Sequence, residues 1–414
     1  MKRTLPFILV VLALLLTSLA CSLPITAPPT PTATLTAPPA IPPTNTLVPP
    51  PTLTLEPPTP EPAQLPYQPA GFIVSPPGGG SVSIYDRNVQ FITGLSTPGY
   101  WGDNLSSAHL AGRLSGGTAN LAFIYYSWDV QALSAGTLGA TNSLLSLTDF
   151  FRLVGVPGSP YIAYVRTEYT DTGLRSYLIA GDYATIASAP VARSVMDSSY
   201  NAMRPLAIAD DHGTPLGIYY TFVPFGIGGD IVFEPRTSLN YLDLATNEVQ
   251  TLLSVDTSPI GLSPDLTWVA YTGLAPNPIT IAPLANLGSP LVIPLLPDSD
   301  RGAGDAVFSP DNQYVAWKEG SGWMMAETPN FHATIRIATT SGTVSAQIPD
   351  SAIKPLIGNP TAIWLEPAGW LDGQTLLLVA RGDDYDQPML LRVNADGSGL
   401  AVLMPGSLAG FVYP

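Results

Sequence analysis

The sequence predicts an all-β fold in which small sheets stack against copies of themselves. Two observations carry that expectation. A short phrase, bulky apolar residue, small residue, bulky apolar residue, recurs between Leu121 and Leu378, and turn-forming residues fall at matching places around it. The copies are Leu121-Ala122-Phe123, Ile162-Ala163-Tyr164, Leu216-Gly217-Ile218, Val269-Ala270-Tyr271, Val315-Ala316-Trp317 and Leu376-Leu377-Leu378. Their centres lie 41, 54, 53, 46 and 61 residues apart. A unit of that length is one supersecondary element with its loops, too small to bury its own apolar faces, so it must stack on its neighbours.

The chain begins with a segment outside that fold. Lys2 and Arg3 form a positive region, Leu5 to Leu16 an apolar run, and Ser18-Leu19-Ala20 small residues before a cut, which together predict a signal peptide over 1–20. Cys21 follows, the one cysteine in 414 residues. This arrangement resembles a bacterial lipoprotein leader, which implies that the Cys21 thiol is acylated and anchors the mature chain to the outer side of the cell membrane. Ser18 stands where that family favours Leu, and Ser18 with Ala20 also suits ordinary signal peptidase, which would release a soluble protein. Residues 24–70 hold 17 Pro and 10 Thr with only Glu56 and Glu61 charged. So many prolines remove backbone donors and fix φ near the polyproline value, so 21–70 reads as a lipidated cysteine plus a disordered tether. In that conformation, at roughly 3.1 Å per residue, it reaches up to about 140 Å.

From Gly71 to the end, the composition is that of a large β core. Strands are predicted at Phe72–Ser75, Ser81–Asp86 and Val89–Thr93, then at each triplet, and finally at Ala409–Tyr413. Three triplets follow a turn: Ser263-Pro264-Asp265-Leu266, Ser309-Pro310-Asp311-Asn312 and Trp370-Leu371-Asp372-Gly373. Pro presets φ, Asp caps the turn, and the fourth place favours Gly or Asn because the backbone there tends to be left-handed. Leu266 breaks that pattern and predicts a different turn. A further strand then ends in a hairpin turn over Leu242–Glu248, Ile337–Gly342 and Val393–Gly399, before strands at Val249–Leu253 and Leu400–Met404.

The Ser-Pro-Asp-Gly type of turn, the inner strand after it and a hairpin ending in Asp396-Gly397-Ser398-Gly399 are similar to the repeats of TolB-like β-propellers, a branch of the WD40-like group. The resemblance is good over Thr237–Met404 and fades toward Gly71. It implies a propeller of four-stranded blades over 71–414, in a family that includes periplasmic partners of membrane assemblies and the non-catalytic half of some serine peptidases. Blades taper toward the axis, so the small central residue that five of the six triplets carry, Leu377 being the exception, is expected to face the neighbouring blade where strands crowd. Three strands from the head and one from the tail supply a further blade that closes the ring. Seven blades, roughly 49 residues each, are favoured over six.

Charge limits the partners. Without the leader, 14 basic residues face 31 acidic ones, a net charge of −17, which disfavours nucleic acid and anionic lipid surfaces. The loops joining the second and third strands of a blade emerge on one face, and here they are long. They carry Phe222, Phe225 and Asp230, then Trp323, Met324 and Met325, then Tyr385, which suit a binding rim for a protein or a cell-wall polysaccharide. Asp383, Asp384 and Asp386 could collect a calcium ion, although they lack the Asp-x-Asp-x-Asp-Gly spacing. No other cofactor is implied.

Catalytic signatures are missing. His109, His212 and His332 stand in separate segments without zinc-ligand spacing, no Gly-x-Ser-x-Gly elbow occurs, and no Walker-type phosphate loop is present. The expected function is therefore a lipid-anchored extracytoplasmic binding or scaffolding module. The alternatives are an exported propeller enzyme acting on carbohydrate through acidic residues from different blades, or a released soluble binding protein.

Overall fold

The structure is a computed structural model describing residues 67–77, 81–96, 104–111, 120–126, 131–137, 140–147, 153–157, 159, 161–171, 173–182, 191–198, 201–211, 214–224, 233, 236–273, 277–297, 301–321, 332–358, 364–382 and 387–413. The segment expected to be a signal peptide, Cys21 and nearly all of the Pro/Thr-rich segment expected to be a tether lie outside these residues. Contacts within the chain separate Met1–Glu61 from a unit spanning Pro62–Pro414.

That second unit is a β-propeller. The chain runs through β1 (Gly71–Ser75), β2 (Ser81–Asp86), β3 (Phe91–Ser96), β4 (Asn104–Ala111), β5 (Asn120–Tyr126), β6 (Gln131–Thr137) and β7 (Ala140–Leu147). It continues through β8 (Val154–Gly155), β9 (Tyr161–Thr170), β10 (Gly173–Asp182) and β11 (Val191–Ser198), then β12 (Asn201–Asp211), β13 (Thr214–Pro224), β14 (Thr237–Asp243) and β15 (Val249–Leu253). Next come β16 (Ser258–Leu262), β17 (Trp268–Thr272), β18 (Ile279–Pro283) and β19 (Leu291–Ile293), then β20 (Gly302–Phe308), β21 (Tyr314–Ser321), β22 (His332–Thr339) and β23 (Val344–Pro349). A short helix, α1 (Asp350–Ile357), leads to β24 (Trp364–Trp370), β25 (Thr375–Arg381), β26 (Met389–Asn394), β27 (Ala401–Pro405) and β28 (Ser407–Val412).

Among the described residues these strands form six sheets, five of four strands and one of eight, in the order β3-β2-β1-β28-β4-β5-β6-β7. This corrects the seven separate blades that the sequence favours. The tail strand β28 does pair antiparallel with β1, Phe72 opposite Phe411, and so joins the two ends of the domain. On its other side, however, β28 meets β4 in a parallel bridge, Val412 opposite Leu110, which merges the head-and-tail strands with β4–β7. The reason is crowding at the hub. First strands of neighbouring sheets touch one another, β12 with β16, β16 with β20 and β20 with β24, and β28 with β4 comes close enough to hydrogen-bond.

The core lies between sheets. Ile260, Ala270, Ile279 and Ile281 of β16–β19 pack with Ala306, Phe308, Val315 and Trp317 of β20–β23. Ala316, Ile335 and Ile337 then pack with Leu365, Trp370, Leu376 and Leu378 of the next sheet, and Leu377 and Val379 with Phe72 and Val74 of β1. Alternation along a strand explains this: Val315 and Trp317 point to one neighbour, Ala316 to the other. Ala163, Ala270 and Ala316 do face an adjoining sheet, whereas Gly217 meets Tyr241 of its own sheet, and the triplet is the second strand of each sheet, not the innermost. At the hub a close approach falls instead on Gly261 in β16, where a Cβ would overlap the carbonyl oxygen of Ala306 in β20.

Leu266 is a second correction. It adopts φ 59° and Asn312 φ 57°, and both turns close alike, with Leu266 N–H to Ser263 O and Asn312 N–H to Ser309 O at 2.9 Å. The serine and aspartate dominate: the hydroxyls of Ser263 and Ser309 donate to Asp265 and Asp311 and accept from Trp268 and Tyr314 N–H. Those bonds outweigh the roughly 1 kcal/mol that a left-handed leucine costs. Helix α1, between Pro349 and a left-handed Gly358, interrupts the strand pattern in a way the sequence reading did not anticipate.

Candidate functional site

Strand direction sorts the connections onto two ends. In every sheet the second strand runs away from the hairpin that precedes it, so the ends of β13, β21 and β25 and the starts of β14, β22 and β26 all lie at one end. The turns around Asp265, Asp311 and Asp372 lie at the other, and because β28 takes the place of a first strand, both Gly71 and Val412 emerge there too. The strand ends that flank the segments expected to form a rim therefore share one end, opposite to that of Gly71.

Phe222 is drawn into packing. It sits half-buried near the end of β13, with its ring 5.6 Å edge-on to Tyr220 and against the apolar cluster between β8–β11 and β12–β15. Phe225, Trp323, Met324, Met325 and Tyr385 lie outside the described residues, as do Asp230 and the calcium candidates Asp383, Asp384 and Asp386. Among the described residues no group of three or more His, Cys, Asp or Glu could hold a metal ion. His109 and His212 contribute no described side chain; His332 opens β22 at the loop end, its Nδ1 3.3 Å from Asp350, which also pairs with Lys354 at 2.8 Å.

What the structure does assemble at this end is a set of charged residues on and beside β20 and β21. Glu319 is fully buried and completely engaged: Arg336 donates at 2.6 Å, Trp317 Nε1–H at 3.0 Å and Leu296 N–H at 2.9 Å. Arg336 also donates to Pro294 O at 2.7 Å. This network ties β21 and β22 to the strand that arrives from the previous sheet, and reads as structural. Lys318, its neighbour in sequence, projects the other way. Its Nζ, with only 2% of the side chain exposed, lies 2.7 Å from Asp305, whose side chain is 24% exposed. The same ammonium sits 5.3 Å from the centre of the Phe233 ring.

Two backbone features position this trio. Between Gly304 and Val307 the β20–β21 register slips in a bulge, and Asp305 within it has φ 52°. A bulge re-aims a side chain, here one on a first strand at the hub. Phe233, which belongs in sequence to the β13–β14 connection, rests on Gly304, where any Cβ would collide with its ring. Arg236, three residues on, is buried and donates to Pro259 O and Ile260 O, both at 3.4 Å. Burial pulls its guanidinium pKa down, and the charge of Asp305 opposes that fall.

Sequence reasoning missed Phe233, Asp305 and Lys318. Lys318-Glu319 at the end of an apolar triplet strand was a readable signal, because buried charges need partners. Nothing local linked them to Phe233, which comes from another sheet.

The geometry can be set beside known proteins. No family model matches the chain, and no curated protein matches it in sequence. Among solved structures, prolyl oligopeptidase B from Galerina marginata, bound to a 35-residue substrate, superposes with a TM-score of 0.50 at 10% identity, over 81% of this chain and 48% of that one. The chain thus spans about half of that peptidase, and the similarity extends to the propeller fold alone. TolB from Acinetobacter baumannii is also similar, with a TM-score of 0.43, 15% identity and coverage of 83% and 80%. An oligogalacturonate lyase in complex with manganese has a TM-score of 0.47, 13% identity and coverage of 80% and 83%. Among the described residues no helix is long and apolar enough to cross a membrane.

Proposed function

We propose that this protein is an extracytoplasmic binding or scaffolding module, held at the cell membrane by a lipid on Cys21 and engaging a protein or cell-wall polysaccharide through its loop face. The observation that carries the reading is the segregation of ends. The second strands end and the third strands begin on one side of the propeller, and Gly71, to which the Pro/Thr segment leads in sequence, lies on the other. A module attached at its turn end leaves its loop end open to partners. The anchor rests on the leader, the lone Cys21 and the tether, and nucleic acid is not among the partners of so acidic a chain.

Two measurements test this. Detergent partitioning of wild type against Cys21→Ser should move the protein from the detergent to the aqueous phase; an unchanged distribution removes the anchor and leaves a released binding protein. A glycan array paired with a reducing-sugar release assay should show retention without release, whereas steady release would make the protein a carbohydrate-active enzyme.

A further inference from the structure

We propose that Asp305, Lys318 and Phe233 form a saccharide subsite at the hub of the loop face. This rests on the binding-module reading and specifies a ligand class and residues for it. The first reason is placement. Asp305 stands in a bulge of a first strand at φ 52°, a backbone that aspartate adopts more readily than most residues, and the bulge re-aims its side chain. Around it Ala303, Ala306 and Phe308 enter the apolar cluster on one side and Val307 the cluster on the other, while the Asp305 carboxylate meets the Lys318 ammonium.

The second reason is the composition of the trio. Lys318 holds the carboxylate at 2.7 Å from beneath while a quarter of the Asp305 side chain stays open to solvent. Phe233 lays an aromatic ring beside the same pair. A sugar ring offers what such a site can use, hydroxyls that donate charge-assisted hydrogen bonds to a carboxylate and a C–H face that packs on an aromatic ring. The size also fits. One ring and one ion pair match a single sugar unit, whereas a stable protein interface needs about 800 Å² from each partner and would draw on the outer loops.

The test is titration calorimetry of the mature full-length chain with two soluble probes, a hexamer of N-acetylglucosamine and a hexamer of galacturonic acid, which separate neutral from acidic saccharides. Wild type is expected to bind at least one of them, and Asp305→Asn and Phe233→Leu each to weaken that binding tenfold or more. Asparagine tolerates the left-handed backbone, so the first variant keeps the bulge. The double variant Asp305→Asn with Lys318→Met removes both charges, so no buried ion is left without its partner, and circular dichroism checks its fold; it should lose binding as well. Retained affinity within twofold in the folded double variant and in Phe233→Leu would overturn the subsite. So would failure of both probes in a chain that still captures a protein through Trp323, Met324 and Met325, and there the binding-module reading survives. Saccharide binding that persists when those three residues are replaced supports the subsite and removes the outer loops from it.

Discussion

Single side chains set the spacing of this molecule. Ala316 faces Leu376 and Leu378 of the next sheet, all fully buried, and the sheets can close only as far as its methyl group allows. Ala316→Phe should therefore destabilise by about 1–3 kcal/mol and lower the melting temperature by several degrees; calorimetry showing a change within a degree or two would contradict inter-sheet packing at this position. Tyr164 offers a pH-dependent counterpart. It is fully buried, its hydroxyl has no hydrogen-bond partner among the described residues, and burial pushes its pKa to about 12, with Arg166 opposing. Because the folded value lies above the ordinary 10.0, the stability linked to the neutral phenol is fully present below pH 10 and is lost as pH rises toward 12. Wild type should lose roughly 2–3 kcal/mol relative to Tyr164→Phe across that range, and Tyr164→Phe should be neutral or slightly stabilising at pH 7. Parallel denaturation curves for the two proteins would show that the phenol ionises without cost.

At the scale of elements, hairpins hold the sheets to each other as well as to themselves. Asn312, in the turn before β21, donates to Asp265 in the equivalent turn before β17. Burial tends to raise the Asp265 pKa, but hydrogen bonds from Thr267, Ser263 and Asn312 together leave it below the usual carboxylate range. A double-mutant cycle with Asp265→Ala and Asn312→Ala should return a coupling of about 1–2 kcal/mol, read by urea denaturation. Additive losses would mean that the turns stand independently. These hairpins were legible from residues alone, because Ser, Pro and Asp carry the turn geometry with them. So was the triplet strand, through its alternation. Its rank within the sheet was not legible: the first strands, such as Ser258–Leu262 and Gly302–Phe308, are short, Gly-rich and weakly patterned. Their identity depends on hub crowding, as at Gly261, which no local window contains. Phe233 was illegible for a related reason, since its contacts lie two sheets away from its own strand.

The whole molecule depends on joining its ends. β28 supplies the hydrogen-bonding partner of β1, and Ala70 N–H adds a bond to Val412 O at 2.7 Å. Deleting residues 407–414 exposes the β1 edge and uncovers Phe72 and Val74, which pack with Leu377 and Leu390. A loss of cooperativity, or a fall in melting temperature on the order of 10 °C or more, is expected by scanning calorimetry; a wild-type transition would mean that the ring does not rely on its tail. The pairing of head and tail was legible from leftover strands at each end, whereas the β28–β4 bridge, which turns seven expected blades into six sheets, needed the spatial closeness of the hub.

Binding, as proposed, belongs to the end where second and third strands are joined. Hydrogen–deuterium exchange of the mature chain with solubilised cell-wall material tests it most directly. Protection gathered at the loop ends of β13–β14, β21–β22 and β25–β26 and at Asp305 is predicted. Protection confined to the hairpins around Asp265, Asp311 and Asp372 would place the partner on the opposite face and contradict the account.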